Sequence, residues 1–353
     1  MEFKSDIRAK HRKSVKDYIN NCIEEGVSAF KNERELGRGV QGRVYKILPL
    51  VKIKGGPESV AYKISKLDSD QVANMMTPFK KSNIKKAYFN ELVSTLLINQ
   101  LIVQKVCPNF TLNYFYQTTD TCYKRKSKSR CLLQYNELIP DGTFDKWTEK
   151  RHSIKMWYNA FFQIFAGLHA MHKYFDMVHT DLHAENIMVK KVKPGGYWKY
   201  KINDLDYYVP NMGYVFLIFD FGYSWIPGKM KVDWYHSDFS TARSKIITND
   251  MNHLKYVLEN AYIDNPEIID LIKSIDYYRY KSKYISSISD IITVHYYGLI
   301  GKRIGNKNET CDQKPWRCYN TKKYVTGELI ESYDLDKKLD KSELPTELHY
   351  LVV

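Results

Sequence analysis

The chain has 353 residues, of which 44% are hydrophobic and 27% are charged, so it can form one large domain or two lobes that share a cleft. Its formal net charge of +14 favours acidic, phosphorylated or other anionic partners. The amino terminus is too charged for a secretory signal, no apolar run is long enough for a transmembrane segment, and the cysteines lack zinc-ligand spacing. These features predict a cytoplasmic protein with reduced thiols.

The first part of the chain is predicted to be rich in β structure. Short β-type segments broken by Gly and Pro begin near residue 33 and indicate a hairpin-rich sheet. The other elements predicted here are a basic, amphipathic helical extension (1–30), a helix (82–106) and a strand pair (110–118 and 130–138).

The part of the chain that follows the PDG turn signal at 140–142 is predicted to be mainly helical. Apolar residues recur every three or four positions from Trp157 to Met171, as a core-facing helix requires. Two strand-like runs follow, Ile187–Lys190 and Tyr214–Phe219, with a Lys- and Tyr-rich insert between them that suggests an elaborated hairpin.

The change of character near residue 140 predicts an α+β fold with three parts. They are the basic extension (1–30), a β-rich lobe with one main helix (31–139), and a mainly helical lobe (140–353) that contains the insert (191–213) and a helical tail.

Four elements with phosphate-handling chemistry occur in order, and the first is a glycine cluster. Gly37, Gly39 and Gly42 stand in a GxGxxGxV pattern that ends at Val44. Glycines let a backbone turn approach phosphate oxygens closely and expose its N–H donors. The pattern also fits dinucleotide-binding turns, but those continue into a helix, whereas a strand follows here. This context favours a glycine-rich hairpin over a nucleotide.

The second element is Lys63, the single lysine of the strand sequence VAYK. Its ammonium group can neutralise the α- and β-phosphates of a nucleotide if a carboxylate orients it. Glu91 is the best candidate for that carboxylate, because it precedes the apolar register of the next helix by one residue and can face inward.

The third and fourth elements are HTDLHAEN at 179–186 and DFG at 220–222. Asp181 follows a long helix and is suited to accept or orient the proton of an attacking hydroxyl. Asn186 lies five positions later, before a strand, and can supply an oxygen ligand to Mg²⁺. Asp220 follows an apolar strand, so its carboxylate can hold Mg²⁺ between two phosphates, with Mn²⁺ as an alternative ion.

Over residues 33–260 these four elements resemble the protein kinase superfamily, in which they correspond to the glycine-rich loop, the strand lysine, the catalytic loop and the metal-binding triplet. The resemblance implies a two-lobed fold with ATP in the cleft. It also implies transfer of the γ-phosphoryl group to the Ser or Thr hydroxyl of a protein substrate.

The resemblance also implies where the adenine of ATP would bind. The hinge between the lobes is expected at Glu137, Leu138 and Ile139, with residues 134–136 as an alternative register. The side chains that would enclose the adenine are those of Val44, Ala61 and Met188.

The sequence departs from the common kinase pattern in three ways. His183 stands where serine/threonine kinases carry Lys, and it can donate a pH-dependent hydrogen bond to the γ-phosphate. The gap between Asn186 and Asp220 is long, and no Ala-Pro-Glu triplet follows DFG. Asp250 is expected to replace the Asp that anchors the next helix. These departures suggest a divergent kinase similar to those of poxviruses and other large DNA viruses, acting in the host cytoplasm or the virion.

Two other functions remain open from the sequence. A small-molecule kinase of the aminoglycoside or choline type is motivated by His183 and by the missing Ala-Pro-Glu triplet. A non-catalytic, nucleotide-binding scaffold is the other, although it conflicts with the presence of all four phosphate-handling elements.

The basic residues fall in four runs, at 10–16, 80–86, 123–130 and 190–201. Such runs are expected to be solvated faces, with contact to an anionic surface as the alternative. No nucleic-acid-binding module is recognised, so an acidic or phosphorylated protein substrate is the favoured partner.

Overall fold

The computed structural model describes residues 3–39, 42–66, 90–122, 125–230, 250, 266–269, 287–296 and 318–353. The α-helices of these residues are α1 (Ser5–Glu24), α2 (Asn90–Val103), α3 (Phe144–Thr148), α4 (Ile154–Phe175) and α5 (Ile288–Tyr296). The strands are β1 (Phe30–Gly39), β2 (Gly42–Pro49), β3 (Val60–Lys66), β4 (Asn113–Cys122), β5 (Arg125–Glu137), β6 (Ile187–Lys191), β7 (Tyr197–Ile202), β8 (Leu205–Pro210), β9 (Tyr214–Ile218) and β10 (Leu329–Asp334).

The first lobe is built on an antiparallel sheet with strand order β1-β2-β3-β5-β4. Directly opposed residues share a face of a sheet, and Val44, Lys63 and Gln134 are opposed across β2, β3 and β5. Helix α2 is buried on nearly all sides, as its almost continuous apolar sequence requires. Helix α1 packs against α2 and β4, so the predicted extension is part of this lobe's core.

The second lobe is organised around α4. The Ser153 side chain caps the start of this helix by accepting a hydrogen bond from the Met156 N–H. The helix ends at Asp176, which adopts the left-handed conformation that closes many helices. Strands β6 and β9 form an antiparallel pair in the register Ile187↔Ile218. This register brings the residue before β6, Asn186, beside the residues that follow β9.

The insert at 191–213 is a β-hairpin, as the sequence suggested, since β7 and β8 pair in antiparallel register. The prediction of a helical tail is wrong for residues 318–353. Their one extended element is β10, which joins β7 in parallel, and the rest of this stretch holds only short 3-10 turns. Glu331 and Tyr333 are buried while Ser332 between them is exposed, and this period of two is that of a strand.

The cysteines differ from the expectation of reduced thiols. Cys131 and Cys318 are each disulfide-bonded, whereas Cys22 and Cys107 are free and buried. Among the described helices, none combines the length and the hydropathy needed to cross a bilayer. Part of the glycine motif, residues 40–41, and the basic run at 80–86 lie outside the described residues.

Candidate active site

Lys63 stands at the centre of the candidate site. Its Nζ atom lies 2.6 Å from Glu91 Oε1 and 3.4 Å from Asp220 Oδ1. Glu91 is in the first turn of α2, and Asp220 lies beyond β9, so one ammonium group joins three parts of the fold. Burial would lower the pKa of Lys63, but the charges of Glu91 and Asp220 raise it above its ordinary value. Lys63 is therefore a permanent cation at neutral pH.

The catalytic-loop residues predicted from the sequence form one hydrogen-bonded group. The Asn186 Nδ2 amide donates to the Asp181 carbonyl (2.8 Å) and to Asp181 Oδ2 (3.2 Å), and it lies 3.0 Å from His183 Nε2. An amide NH2 group has two hydrogens, and the two Asp181 oxygens can accept both of them. The Asp181 side chain is one-third exposed and can be reached from the cleft.

Asp250 supports this loop from below. Its carboxylate is fully buried and accepts the backbone N–H groups of His179 and Thr180 at about 3 Å, and His172 Nε2 lies 2.9 Å away. Burial would raise the pKa of Asp250, but the hydrogen bond and charge of His172 and the neighbouring His179 hold it below its ordinary value. The anchoring role expected for Asp250 thus falls on the catalytic loop itself.

Two residues of this region have left-handed backbone conformations, Thr180 (φ 62°) and Asp220 (φ 59°). Such angles are uncommon for residues other than glycine, and they persist where surrounding contacts fix them. For Thr180 those contacts are with Asp250 and with the Tyr223 carbonyl, which accepts from Thr180 Oγ1 (2.6 Å).

The side chains of Asp220 and Phe221 point in opposite directions. Phe221 is buried, with its ring 5.4 Å from that of His179 and 6.3 Å from that of Phe110. Asp220 faces Lys63 and keeps 41% of its side chain exposed. The apolar ring therefore fixes the turn, and the carboxylate is left available at the cleft.

The glycines of the first motif serve different purposes. A Cβ at Gly37 would meet no atom within 4 Å, which leaves open space above β1. A Cβ at Gly42 would collide with the Ile64 carbonyl oxygen of β3, and Gly42 also has a positive φ of 153°. Gly39 pairs with Gly42 at the end of the β1–β2 hairpin. Gly42 is thus required by packing inside the sheet, whereas Gly37 leaves room for a ligand.

Residues 30–212 match the sequence model of the family described as protein tyrosine and serine/threonine kinase. The matched segment is more than half of the chain and ends before Asp220. The chain belongs to this protein kinase family. The α+β fold predicted from the sequence, with a β-rich lobe and a helical lobe, is confirmed.

Relatives of this kinase domain occur in viruses, as the departures in the sequence suggested. A protein of Invertebrate iridescent virus 6, named a probable serine/threonine-protein kinase (380R), is 26% identical over 236 residues, which are 64% of this chain and 41% of the relative. A protein of Frog virus 3, which bears the name "Putative serine/threonine-protein kinase 019R", is 28% identical over 204 residues, 55% of this chain and 23% of the relative. The chain thus spans less than half the length of these relatives.

The residues expected to form the hinge, Glu137, Leu138 and Ile139, lie where the sheet of the first lobe ends. Strand β5 ends at Glu137, so residues 134–136 lie inside the sheet, and Leu138 and Ile139 form the connection to the helical lobe. The Glu137 N–H donates to the Leu112 carbonyl (2.8 Å), so this group cannot donate to a nucleotide. Among the hydrogen bonds of the described residues, none uses the Ile139 N–H.

The residues expected to enclose the adenine lie on strands that border the cleft. Ala61 and Lys63 are two positions apart on β3 and share a face, and Val44 is opposed to Lys63 on β2. Met188 on β6 lies on the other lobe and forms a bridge with Thr143 beside α3. Val44, Ala61 and Met188 are half-buried, whereas their strand neighbours Val60, Ile187 and Val189 are buried.

Sequence reasoning missed the residues that bind the side chain of Glu137, at the start of the expected hinge. The Glu137 carboxylate is bound by Arg8 (2.7 Å) and by Lys190 (3.1 Å). Lys190 lies in a basic run that the sequence predicts to be a solvated face, and no motif of the sequence includes Arg8. A signal was present for Arg8, because it is seven residues before Val15 and fourteen before Cys22, on the buried face of α1.

Proposed function

We propose that this chain is an ATP- and Mg²⁺-dependent protein kinase that transfers the γ-phosphoryl group of ATP to protein Ser/Thr hydroxyls. The observation that carries the proposal is the double contact of Lys63 with Glu91 and Asp220 while Phe221 packs inward. Kinases require both the strand-lysine ion pair and an inward-facing metal-binding Asp for phosphoryl transfer.

The donor atoms around the cleft suit a hard divalent cation. Asn186 uses its amide nitrogen toward Asp181 and His183, which leaves its Oδ1 oxygen for a metal. Asp220 offers a second oxygen beside the one that faces Lys63. Oxygen ligands of this kind are preferred by Mg²⁺, and Mn²⁺ accepts them too. Asn186 and Asp220 are therefore the residues that would hold the ion.

Each remaining residue has a task that follows from its position. When bound, ATP would supply the γ-phosphoryl group and Mg²⁺ would neutralise part of the negative charge of the phosphates. Lys63, held by Glu91, stabilises negative charge on the α- and β-phosphates. Asp181 orients the acceptor hydroxyl and takes its proton, and an N–H group of the His183 ring donates to an oxygen of the γ-phosphate. Gly37, Gly39 and Gly42 form the loop over the phosphates.

The adenine end of the nucleotide is assigned to the hinge and its neighbours. The Ile139 N–H, which donates no hydrogen bond among the described residues, and the Glu137 carbonyl are the backbone groups proposed to bind the base. Val44 and Ala61 from above and Met188 from below would pack against its two faces.

The test is phosphate transfer from labelled ATP with Mg²⁺ to casein, with acceptor sites identified by mass spectrometry. Wild type is expected to label Ser or Thr, and Asp181→Ala and Asp220→Ala are expected to abolish labelling. Asp206→Asn, an exposed carboxylate on the β7–β8 hairpin, is the control and should retain activity. Labelling that survives both alanine variants would disprove the proposal. If ATP is consumed only with aminoglycosides or choline, the small-molecule kinase is favoured. If Mg·ATP binds but no phosphate is transferred, the non-catalytic scaffold is favoured.

We further propose that the substrates are acidic or phosphorylated proteins, acted on in the host cytoplasm or the virion. The support is the net charge of +14 and the viral origin of the relatives. Acidic casein should then be labelled faster than a basic histone, and the difference should shrink as salt screens the attraction. Equal rates at low salt would refute the preference.

A further inference from the structure

Arg8 is a buried cation that reaches the back of the hinge from the amino-terminal helix. Its side chain is only 3% exposed. The guanidinium donates twice to Glu137 Oε2, from Nε (3.0 Å) and from a terminal nitrogen (2.7 Å). The other terminal nitrogen donates to the Pro108 carbonyl (2.8 Å), and the Phe110 carbonyl accepts as well. A planar guanidinium is the group whose geometry allows all these bonds at once.

These contacts join the two segments that border the nucleotide site. Glu137 is the last residue of β5, immediately before the hinge connection. Pro108 and Phe110 lie in the loop between α2, which carries Glu91, and β4. That loop is bound in turn to the end of β9, because the Ile218 N–H donates to the Asn109 carbonyl (2.9 Å). Arg8 thus couples the hinge to the segments that carry Glu91 and Asp220.

The charge balance behind the hinge depends on Arg8. Glu137 is buried with Arg8 on one carboxylate oxygen and Lys190 on the other. Burial would raise the pKa of Glu137, but the charges of Arg8 and Lys190 hold it below its ordinary value. Without Arg8, the buried Glu137 carboxylate would keep Lys190 as its cationic partner but would lose both bonds to Oε2. The last residue of β5 would then also lose its connection to the α2–β4 loop.

Contacts of helix α1 with the rest of the chain fix the position of Arg8. The Ser5 N–H at the start of the helix donates to Glu331 Oε2 on β10 (2.7 Å). Val15 and Ile19 are buried against the first lobe. The guanidinium therefore transmits the position of α1 to the hinge.

We propose that Arg8 is a positioning residue for nucleotide binding, which sets the hinge backbone through Glu137 and the α2–β4 loop through Pro108 and Phe110. The inference rests on the proposed kinase function. It predicts that loss of the guanidinium weakens Mg·ATP binding, while the phosphate-transfer residues around Asp181, which Arg8 does not contact, keep working once ATP is bound.

The experiment compares wild type, Arg8→Met, Arg8→Lys and Arg12→Met in the full chain. Arg12 is one turn further along α1 and pairs with the exposed Glu343, so its variant removes an equal charge without contact to the hinge. Calorimetry gives the Kd of Mg·ATP, steady-state kinetics give KM and kcat, and thermal melting gives Tm.

For Arg8→Met we expect Kd and KM to rise about tenfold, as loss of a charge-assisted contact implies, with kcat within about threefold of wild type. Arg8→Lys keeps the positive charge but lacks the planar guanidinium, so its Kd and KM should lie between those of wild type and Arg8→Met. Arg12→Met should leave Kd and KM unchanged.

A lower Tm with unchanged Kd and KM for Arg8→Met would make Arg8 merely structural and overturn the inference. An equal rise in KM for Arg12→Met would do the same. If Arg8→Met does not fold, Lys190→Met, which frees the other oxygen of Glu137, must raise the Kd, and an unchanged value refutes the inference. Wild type that binds no nucleotide overturns the proposed function itself, which separates the two failures.

Discussion

At the scale of single residues, Lys63 contacts two carboxylates that are distant from it in the chain. Glu91 is 28 residues away from Lys63, and Asp220 is 157 residues away. Its side chain is 12% exposed, so these contacts are weakly screened and their geometry decides where the ammonium points. Loss of the Lys63–Glu91 pair should therefore misplace the ammonium group that we propose to bind the phosphates of ATP.

Glu91→Gln should lower kcat/KM by roughly 10- to 100-fold. It exchanges a charge-assisted hydrogen bond, which contributes about 1.5–3 kcal/mol, for a neutral one. Initial-rate kinetics with an acidic protein substrate measure the effect. Glu149→Gln is the control, because Glu149 pairs with Lys146 on the surface with 61% of its side chain exposed. A variant with unimpaired kcat/KM would show that Glu91 does not orient Lys63 in catalysis.

Asp250→Asn should lower the free energy of unfolding at pH 7 by about 2–4 kcal/mol, because an amide cannot accept all the N–H donors that surround Asp250. The pKa of Asp250 is depressed below 3.8 in the folded state. Its stabilisation is therefore complete above that value and is lost as the pH falls below it. Urea unfolding from pH 7 downward should show a constant gap between the variant and wild type that narrows below about pH 4. A gap that is unchanged at pH 3 would contradict this.

At the scale of elements, the parts of the site differ in how far the sequence predicts them. The HTDLHAEN and DFG segments are each contiguous in the chain. The sequence pattern alone therefore predicts Asp181, Asn186 and Asp220 as site residues. The Lys63–Glu91 pair is long-range, and helical register indicated only that Glu91 can face inward. The β10 strand was missed, because a single strand of six residues has few positions on which to show alternation and its partner β7 is more than a hundred residues away.

The Glu331 carboxylate links β10 to α1. Glu331 accepts the Ser5 N–H and the Tyr333 hydroxyl, both at 2.7 Å. It satisfies one of the free N–H groups at the start of α1 and favours the positive end of the helix dipole. The first turn of α1 should therefore depend on β10.

Glu331→Ala should raise the rate of amide hydrogen exchange in the first turn of α1, while exchange in α4 stays as in wild type. The Ser5 N–H at the start of α1 loses its carboxylate acceptor, so this turn opens more often. Exchange followed by mass spectrometry provides the measurement. Glu328→Ala, an exposed carboxylate three residues earlier, should leave α1 unchanged. Equal exchange in all three proteins would show that Glu331 does not hold the helix.

At the scale of the whole molecule, the cleft is bordered by residues of both lobes. The first lobe contributes Lys63 and Glu91, and the second contributes Asp181, Asn186 and Asp220. A ligand that contacts both sets binds the folded chain alone and stabilises it by mass action. The lobes should then respond to nucleotide as one unit.

Mg·ATP at a hundredfold excess over its Kd should stabilise wild type by about 2.7 kcal/mol, seen as a rise in Tm of several degrees. Asp220→Asn should lose the part of the rise that requires Mg²⁺. Asp206→Asn is the matched control, because its exposed fraction of 39% is close to the 41% of Asp220. A Mg²⁺-dependent rise that persists in Asp220→Asn would refute the metal assignment.

The bond between Ser5 and Glu331 spans 326 positions in the chain and has a consequence for biosynthesis. Helix α1 is translated well before β10, which carries the carboxylate that accepts the Ser5 N–H. At 5–20 residues per second, the wait is roughly 15–65 s. Until β10 is made, the first turn of α1 lacks this acceptor, although α2 and β4, against which the helix packs, have already been translated. A nascent chain arrested before β10 should therefore be cut by proteases in the first turn of α1 more readily than a chain that contains β10.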